Sequence, residues 1–148
     1  MNIAKENGYD HVINYNKEDF AKKVLEITNG KGVPVVYDGV GKDTLDGSIE
    51  CLSVRGMMVS FGNASGPIEP CNVGKSLAPK GLYLTRPSIA HYTTTKEDLD
   101  EAANKVFEMF ITKKFKLNIF KKYSLNEIVK AHQDLEGRKI LGPAVIIP

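Results

Sequence analysis

Four short segments carry residue types suited to holding a flat ligand against main chain, and each follows an apolar run. They are Tyr15-Asn16, Asp38-Gly39-Val40-Gly41, Phe61-Gly62-Asn63-Ala64-Ser65-Gly66 and Arg86-Pro87-Ser88. Three of the four are turns of small residues, which admit close approach because few side chains stand in the way. A single Gly39-x-Gly41 is equally explained by a tight strand-to-helix turn. The four together, at one edge of a sheet, favour a nucleotide site. Arg138 follows Gly137 and precedes the last apolar run. It could reach a phosphate or carboxamide, although its position alone favours a solvated surface side chain.

Other chemistries find no support. His11, His91 and His132 lack an Asp or Ser partner at a recognisable spacing, which speaks against a hydrolytic triad. Glu18-Asp19 and Asp98-Asp100-Glu101 fall in first turns of expected helices, where dipole compensation accounts for them. Cys51 and Cys71 belong to no CxxC or Cys/His cluster, so neither a metal site nor a disulfide framework is expected. No catalytic residue is assigned. The 148 residues hold 20 Lys plus Arg against 18 Asp plus Glu, a net charge of +2. That balance carries no footprint of a nucleic-acid or anionic-membrane partner. No run approaches the roughly 20 apolar residues of a membrane span, and no signal peptide follows Met1. A cytoplasmic location is expected.

The elements that must position these residues alternate. His11–Tyr15 reads as a β-branched strand, with Asn16 as the cap of a helix carrying Phe20, Val24, Leu25 and Ile27 to a stop at Gly30. Val33–Asp38 reads as a second strand, about 43–53 as a short helix with Leu45, Ile49 and Leu52 on one face, and Gly56–Gly62 as a third strand. Residues 63–81 form a Gly/Pro-rich loop with one helical turn near 72–77, before a strand at Leu82–Thr85. Thr94 with Glu97 fits a capping box ahead of a helix of about 96–113, whose Leu99, Ala102, Ala103, Val106, Phe107 and Phe110 form a stripe expected to be buried. Phe115–Phe120 reads as a short strand. Ser124 with Glu127 opens a last helix that stops at Gly137, and Ala144–Ile147 closes as a strand. No linker is expected to divide the chain. The alternation implies right-handed βαβ units and a parallel sheet, an α/β fold whose ligands sit at the carboxyl ends of the strands.

The segments AKENGYDHVINYNKEDF (Ala4–Phe20), GKGVPVVYDGVGKDTLDGSIECLSVRGMMVSFGNASGP (Gly30–Pro67), LYLTRPS (Leu82–Ser88) and AHQDLEGRKILGPAVIIP (Ala131–Pro148) closely resemble the C-terminal half of the NADPH-dependent quinone oxidoreductases. These are zinc-free members of the medium-chain dehydrogenase/reductase superfamily. The resemblance covers essentially the whole chain, and SFGNASG followed by LTRPS is its most specific part. It implies a Rossmann-like, doubly wound parallel sheet, NADPH as hydride donor, a quinone as acceptor, no metal, and a homodimer joined through the Leu82–Arg86 edge strand. By motif match it places Tyr15, Val40 and Gly41 near the adenosine end of NADPH. It places Phe61, Gly62 and Asn63 beside the nicotinamide half, and it turns the balance for Arg138 toward the cofactor.

The departures from that pattern carry equal information. Members begin with a GroES-like catalytic domain, then a first Rossmann strand with its glycine-rich turn and a second strand; no GxGxxG follows a strand in this sequence. The chain is therefore expected to be residues 1–148 of an incomplete NADP-binding domain with a C-terminal tail, lacking the first two strands, the glycine-rich loop and the catalytic domain. In the strand order 3-2-1-4-5-6, His11–Tyr15 would be strand 3, and Val33–Tyr37 would bear an unpaired apolar edge. Weak or no catalysis by the chain alone is expected, and its NADPH binding is in doubt for the same reason. Pairing with a separate N-terminal chain is a further expectation, and a non-enzymatic dimerisation or interaction fragment is the alternative.

Overall fold

The computed structural model describes residues 2–115 and 118–148, and the chain divides into two compact units, Met1–His91 and Tyr92–Pro148. The expectation that no linker divides the chain rests on composition, which reports flexible linkers and is blind to a boundary inside an ordinary turn.

The first unit opens with α1 (Asn2–Glu6) and α2 (Phe20–Ile27). Asp19 caps α2 by accepting the Lys22 N–H at 3.1 Å, so the cap is Asp19 and not Asn16. Asn16 instead lies in a turn in which the N–H groups of Lys17 and Glu18 bond to Asn14 O. His11–Tyr15 is not a strand. A β-branched run becomes a strand only when another strand satisfies its ladder, and the sheet of this unit, in order β1-β2-β3, has none beside it. Those strands are β1 (Val33–Asp38), β2 (Leu52–Ser60) and β3 (Tyr83–Thr85), all parallel.

Between β1 and β2 lies α3 (Leu45–Glu50), shorter than the expected helix because Leu52 already belongs to β2. The early start of β2 is accommodated by a register irregularity between Val33 and Val35 and by Arg55 at φ 59°. Leu45, Leu52 and Met58 are the buried centre of this unit, with Val36, Ile49, Ile68, Leu82 and Leu84 packed around them. β1 is an edge strand, and Val35 and Tyr37, which share one face of it, are exposed. A single turn, α4 (Val73–Ser76), is capped by Asn72 inside the expected loop.

The second unit opens with α5 (Lys96–Ile111). Its capping box is Thr95 with Asp98, one residue beyond the expected Thr94/Glu97 pair. No residue of α5 is buried; Leu99, Val106, Phe107 and Phe110 are all exposed, contrary to the expected buried stripe. Spacing gave the stripe correctly, while burial also requires a facing surface. The expected strand Phe115–Phe120 includes residues 116 and 117, which lie outside the described residues; the strand is β4 (Lys121–Ser124). It pairs in parallel with β5 (Ala144–Ile147), and α6 (Ile128–Glu136) follows the Ser124/Glu127 capping box. Buried Asp134 on α6 accepts from Lys121 Nζ and from Tyr123 Oη, each at 2.9 Å. Those bonds, the Lys121 one foremost, hold its carboxyl at about 2. No helix among the described residues is long and apolar enough to cross a membrane.

Candidate functional site

The carboxyl end of β1 is organised by a buried acid. Asp38 is 4% exposed, and its carboxylate receives four donors. Oδ1 accepts the N–H groups of Val40 and Gly41 at 2.8 and 2.9 Å. Oδ2 accepts the hydroxyls of Thr44 and Ser48 at 2.7 and 2.8 Å, both from the α3 side. Burial pushes this carboxyl up, and the bonds from Gly41, Thr44, Ser48 and Val40 outweigh that and leave it below the ordinary value. Four donors on one carboxylate fix the β1-to-α3 turn with a short, charge-assisted set of bonds.

The turn is in turn joined to the loop after β2. Phe61 N–H donates to Asp38 O at 2.9 Å, Ala64 N–H to Gly39 O at 3.2 Å and Ser65 N–H to Val40 O at 2.8 Å. Ser65 Oγ donates to Val40 O at 2.9 Å and accepts the Asp43 N–H at 3.0 Å. The glycines permit this contact: a Cβ on Gly62 would stand 2.4 Å from Gly39 O, and one on Gly41, at φ +93°, 2.8 Å from Gly66 O. Gly41 and Gly62 therefore allow the two loops to pack together. Arg86 Nη1 donates to Ser60 O at 2.7 Å and so anchors the root of the second loop.

Six of the seven expected site residues lie in this unit. Tyr15 stands edge-on to Phe20, ring centroids 6.4 Å apart, and with Phe20, Val36, Tyr37, Asp38 and Val40 it lines a concavity of about 230 Å³. Gly41 is buried under the rim, Gly62 is half-buried, and Phe61 and Asn63 are exposed on the adjoining loop. Arg138, exposed and at φ 54°, belongs to the second unit. Asp38, Thr44, Ser48 and Ser65 were not singled out as site residues. The signal for the first three was present as an acid ending a strand, with hydroxyls six and ten residues on, where a following helix brings them back over the strand end.

The same bonds define what the rim can hold. Its Val40, Gly41, Phe61, Ala64 and Ser65 N–H groups are already engaged, so it is no cradle for a pyrophosphate. What the rim leaves open is the exposed surface of Phe61 and Asn63. A dinucleotide would fit these residues in part only. Among the described residues, no group of three or more His, Cys, Asp or Glu could hold a metal ion.

Comparison with known proteins places this geometry in context. Residues 1–108 match the family described as zinc-binding dehydrogenase. The described residues do not fit the zinc of that description, and the chemistry below uses none. A quinone oxidoreductase of Salmonella typhimurium is 45% identical over 147 residues, covering 98% of this chain and 45% of the relative. A 2-haloacrylate reductase of Burkholderia sp. is 40% identical over 146 residues, 98% of this chain and 44% of that one. The Escherichia coli quinone oxidoreductase complexed with NADPH superposes with a TM-score of 0.92 at 44% identity, covering 98% of this chain and 45% of that one. The chain thus spans a little under half the length of the relatives it matches.

Proposed function

The chain belongs to the zinc-binding dehydrogenase family, and from that premise we propose that it is the C-terminal cofactor-domain portion of an NADPH-dependent quinone oxidoreductase. In the complete enzyme a hydride passes from NADPH to a quinone. The observation that carries this reading is the paired rim: two strand-end loops at one edge of a parallel sheet, bonded to each other and presenting Phe61, Gly62 and Asn63. Tyr15, Val40 and Gly41 serve the adenosine side and Arg138 the cofactor from the C-terminal side. Their support is the match to the family pattern, together with the shared concavity for Tyr15 and Val40.

Hydride transfer requires donor and acceptor held in contact, an arrangement worth several orders of magnitude in rate. The described residues supply a rim and no pyrophosphate cradle, so we expect the 148-residue chain alone to be weak or inert, in the cytoplasm and without zinc. NADPH oxidation followed at 340 nm with a quinone present tests this; turnover at a rate of about 10 per second, ordinary for an enzyme, would overturn the expectation of inertness. Supplying the N-terminal portion in trans should restore activity, and failure to do so counts against a split enzyme.

A second reading rests on β3, whose only sheet neighbour among the described residues is β2. Its open edge over Leu82–Arg86 can pair antiparallel with a second copy, giving a homodimer or a purely interacting fragment. Tyr83 is exposed on that strand, so Tyr83→Lys should dissociate the dimer without unfolding it. An unchanged sedimentation coefficient excludes this edge.

A further inference from the structure

We propose that Asp38 and Ser65 are positioning residues which lock the β1 turn and the β2 loop into one rigid rim, acting on the nucleotide through Val40 and Gly41. The inference deepens the cofactor reading above and rests on it for the identity of the ligand, though not for the coupling of the loops.

Three observations carry it. First, the buried Asp38 carboxylate divides its donors: one oxygen takes the two turn N–H groups and the other takes the hydroxyls of Thr44, just before α3, and Ser48 within it. A buried acid with fewer donors would be driven toward neutrality, and an apolar side chain would fill the space without fixing the turn. Second, Ser65 meets that turn from the other loop with its N–H and hydroxyl both on Val40 O, while its oxygen receives the Asp43 N–H. Val40 is therefore gripped on its N–H by Asp38 and on its carbonyl by Ser65. Third, Gly39, Gly41 and Gly62 leave no slack between the loops, since a Cβ on any of them would meet a neighbour at 3.0 Å or less. Movement of either loop must then displace the other. Because these bonds engage both the N–H and the carbonyl of Val40, the turn is held in a fixed place.

The test uses the full chain as wild type, Asp38→Asn, Asp38→Ala and Ser65→Ala. Amide hydrogen exchange reads the coupling. Asp38→Ala should accelerate exchange at Val40 and Gly41, and across the loop boundary at Ala64 and Ser65, by at least about tenfold, the scale of a lost hydrogen bond to a charged group. Met58 and Val59 in β2 should keep their rates. Asp38→Asn, which retains an acceptor for the turn, should stay within about threefold of wild type. Ser65→Ala should accelerate Asp43 and Val40, and it decides alone where Asp38→Ala does not fold. Acceleration confined to the mutated loop, or spread evenly through β2, overturns the proposal.

Titration with NADPH, followed by chemical-shift changes at Val40, Gly41 and residues 61–63, reads the consequence. Affinity should fall at least about tenfold in Asp38→Ala and be recovered in Asp38→Asn; unchanged affinity in Asp38→Ala overturns the positioning role. Where the wild-type chain shows no shift with NADPH, the lack of a pyrophosphate cradle accounts for it, and the exchange rates alone decide whether the two residues couple the loops.

Discussion

Gly62→Ala isolates the contact between the two strand-end loops. The new methyl would lie 2.4 Å from Gly39 O and 2.8 Å from Gly39 Cα, both main-chain atoms with no flexible end to swing away. Gly39 is itself held, because the Phe61 ring stands close to it and its carbonyl accepts the Ala64 N–H. The substitution should therefore separate β1 and β2 at their carboxyl ends, an overpacking effect of about 1–3 kcal/mol. Removing a glycine also restricts the unfolded chain and stabilises by about 0.4–1 kcal/mol where the native backbone tolerates the side chain. The net expectation is a loss of about 1–2 kcal/mol. Gly74→Ala is the control: its Cβ would meet only Asn72 Oδ1, at an ordinary 3.5 Å, inside α4. It should be neutral or slightly stabilising. Urea titration read by amide resonances of β1 and β2 reports this unit apart from the second. Equal midpoints for Gly62→Ala and Gly74→Ala would refute the argument that Gly62 is required by the packing of one loop on the other.

Two other predictions concern groups outside the rim. Asp134 has a carboxyl held at about 2 against an ordinary 3.8. A depressed acid contributes stability that is present above its unfolded value and lost as pH falls through its folded one, so the second unit should weaken between about pH 4 and pH 2; Asp134→Asn should flatten that slope in a series of urea midpoints, and an unaltered slope would dissociate the acid response from this residue. Cys51 is buried, and burial pushes its thiol up to about 11, whereas Cys71 is half-buried. At pH 8 a disulfide reagent should label Cys71 in the native chain and Cys51 only after unfolding; peptide mapping that finds Cys51 modified first would contradict the packing around α3.

What could be read from the amino acids alone divides along a physical line. Elements whose partners this chain supplies were legible: Val33–Asp38 and Ala144–Ile147 are strands with the expected bounds, paired with β2 and β4, and the Ser124/Glu127 box needs only its own first turn. Elements without such a partner among the described residues were not. His11–Tyr15 has the residues of a strand and no ladder to join, and α5 has an apolar stripe with nothing described against it. The same distinction operates inside the candidate site. Gly41, Phe61, Gly62 and Asn63 were legible as small-residue turns at strand ends, a property of each turn by itself. Their joining was not, because Ser65 lies 25 residues from Val40 and Ser48 lies 10 from Asp38, separations that carry no periodic signal. A glycine at a strand end is compatible with a ligand close to the backbone and equally with another loop close to it. At Gly41 and Gly62 a second loop does lie close to the backbone, a contact that exists whether or not a ligand also approaches. What they place is the exposed face of Phe61 and Asn63, so substitutions at the glycines should alter stability and loop exchange together, whereas Asn63→Ala, on an exposed side chain, should leave both unchanged.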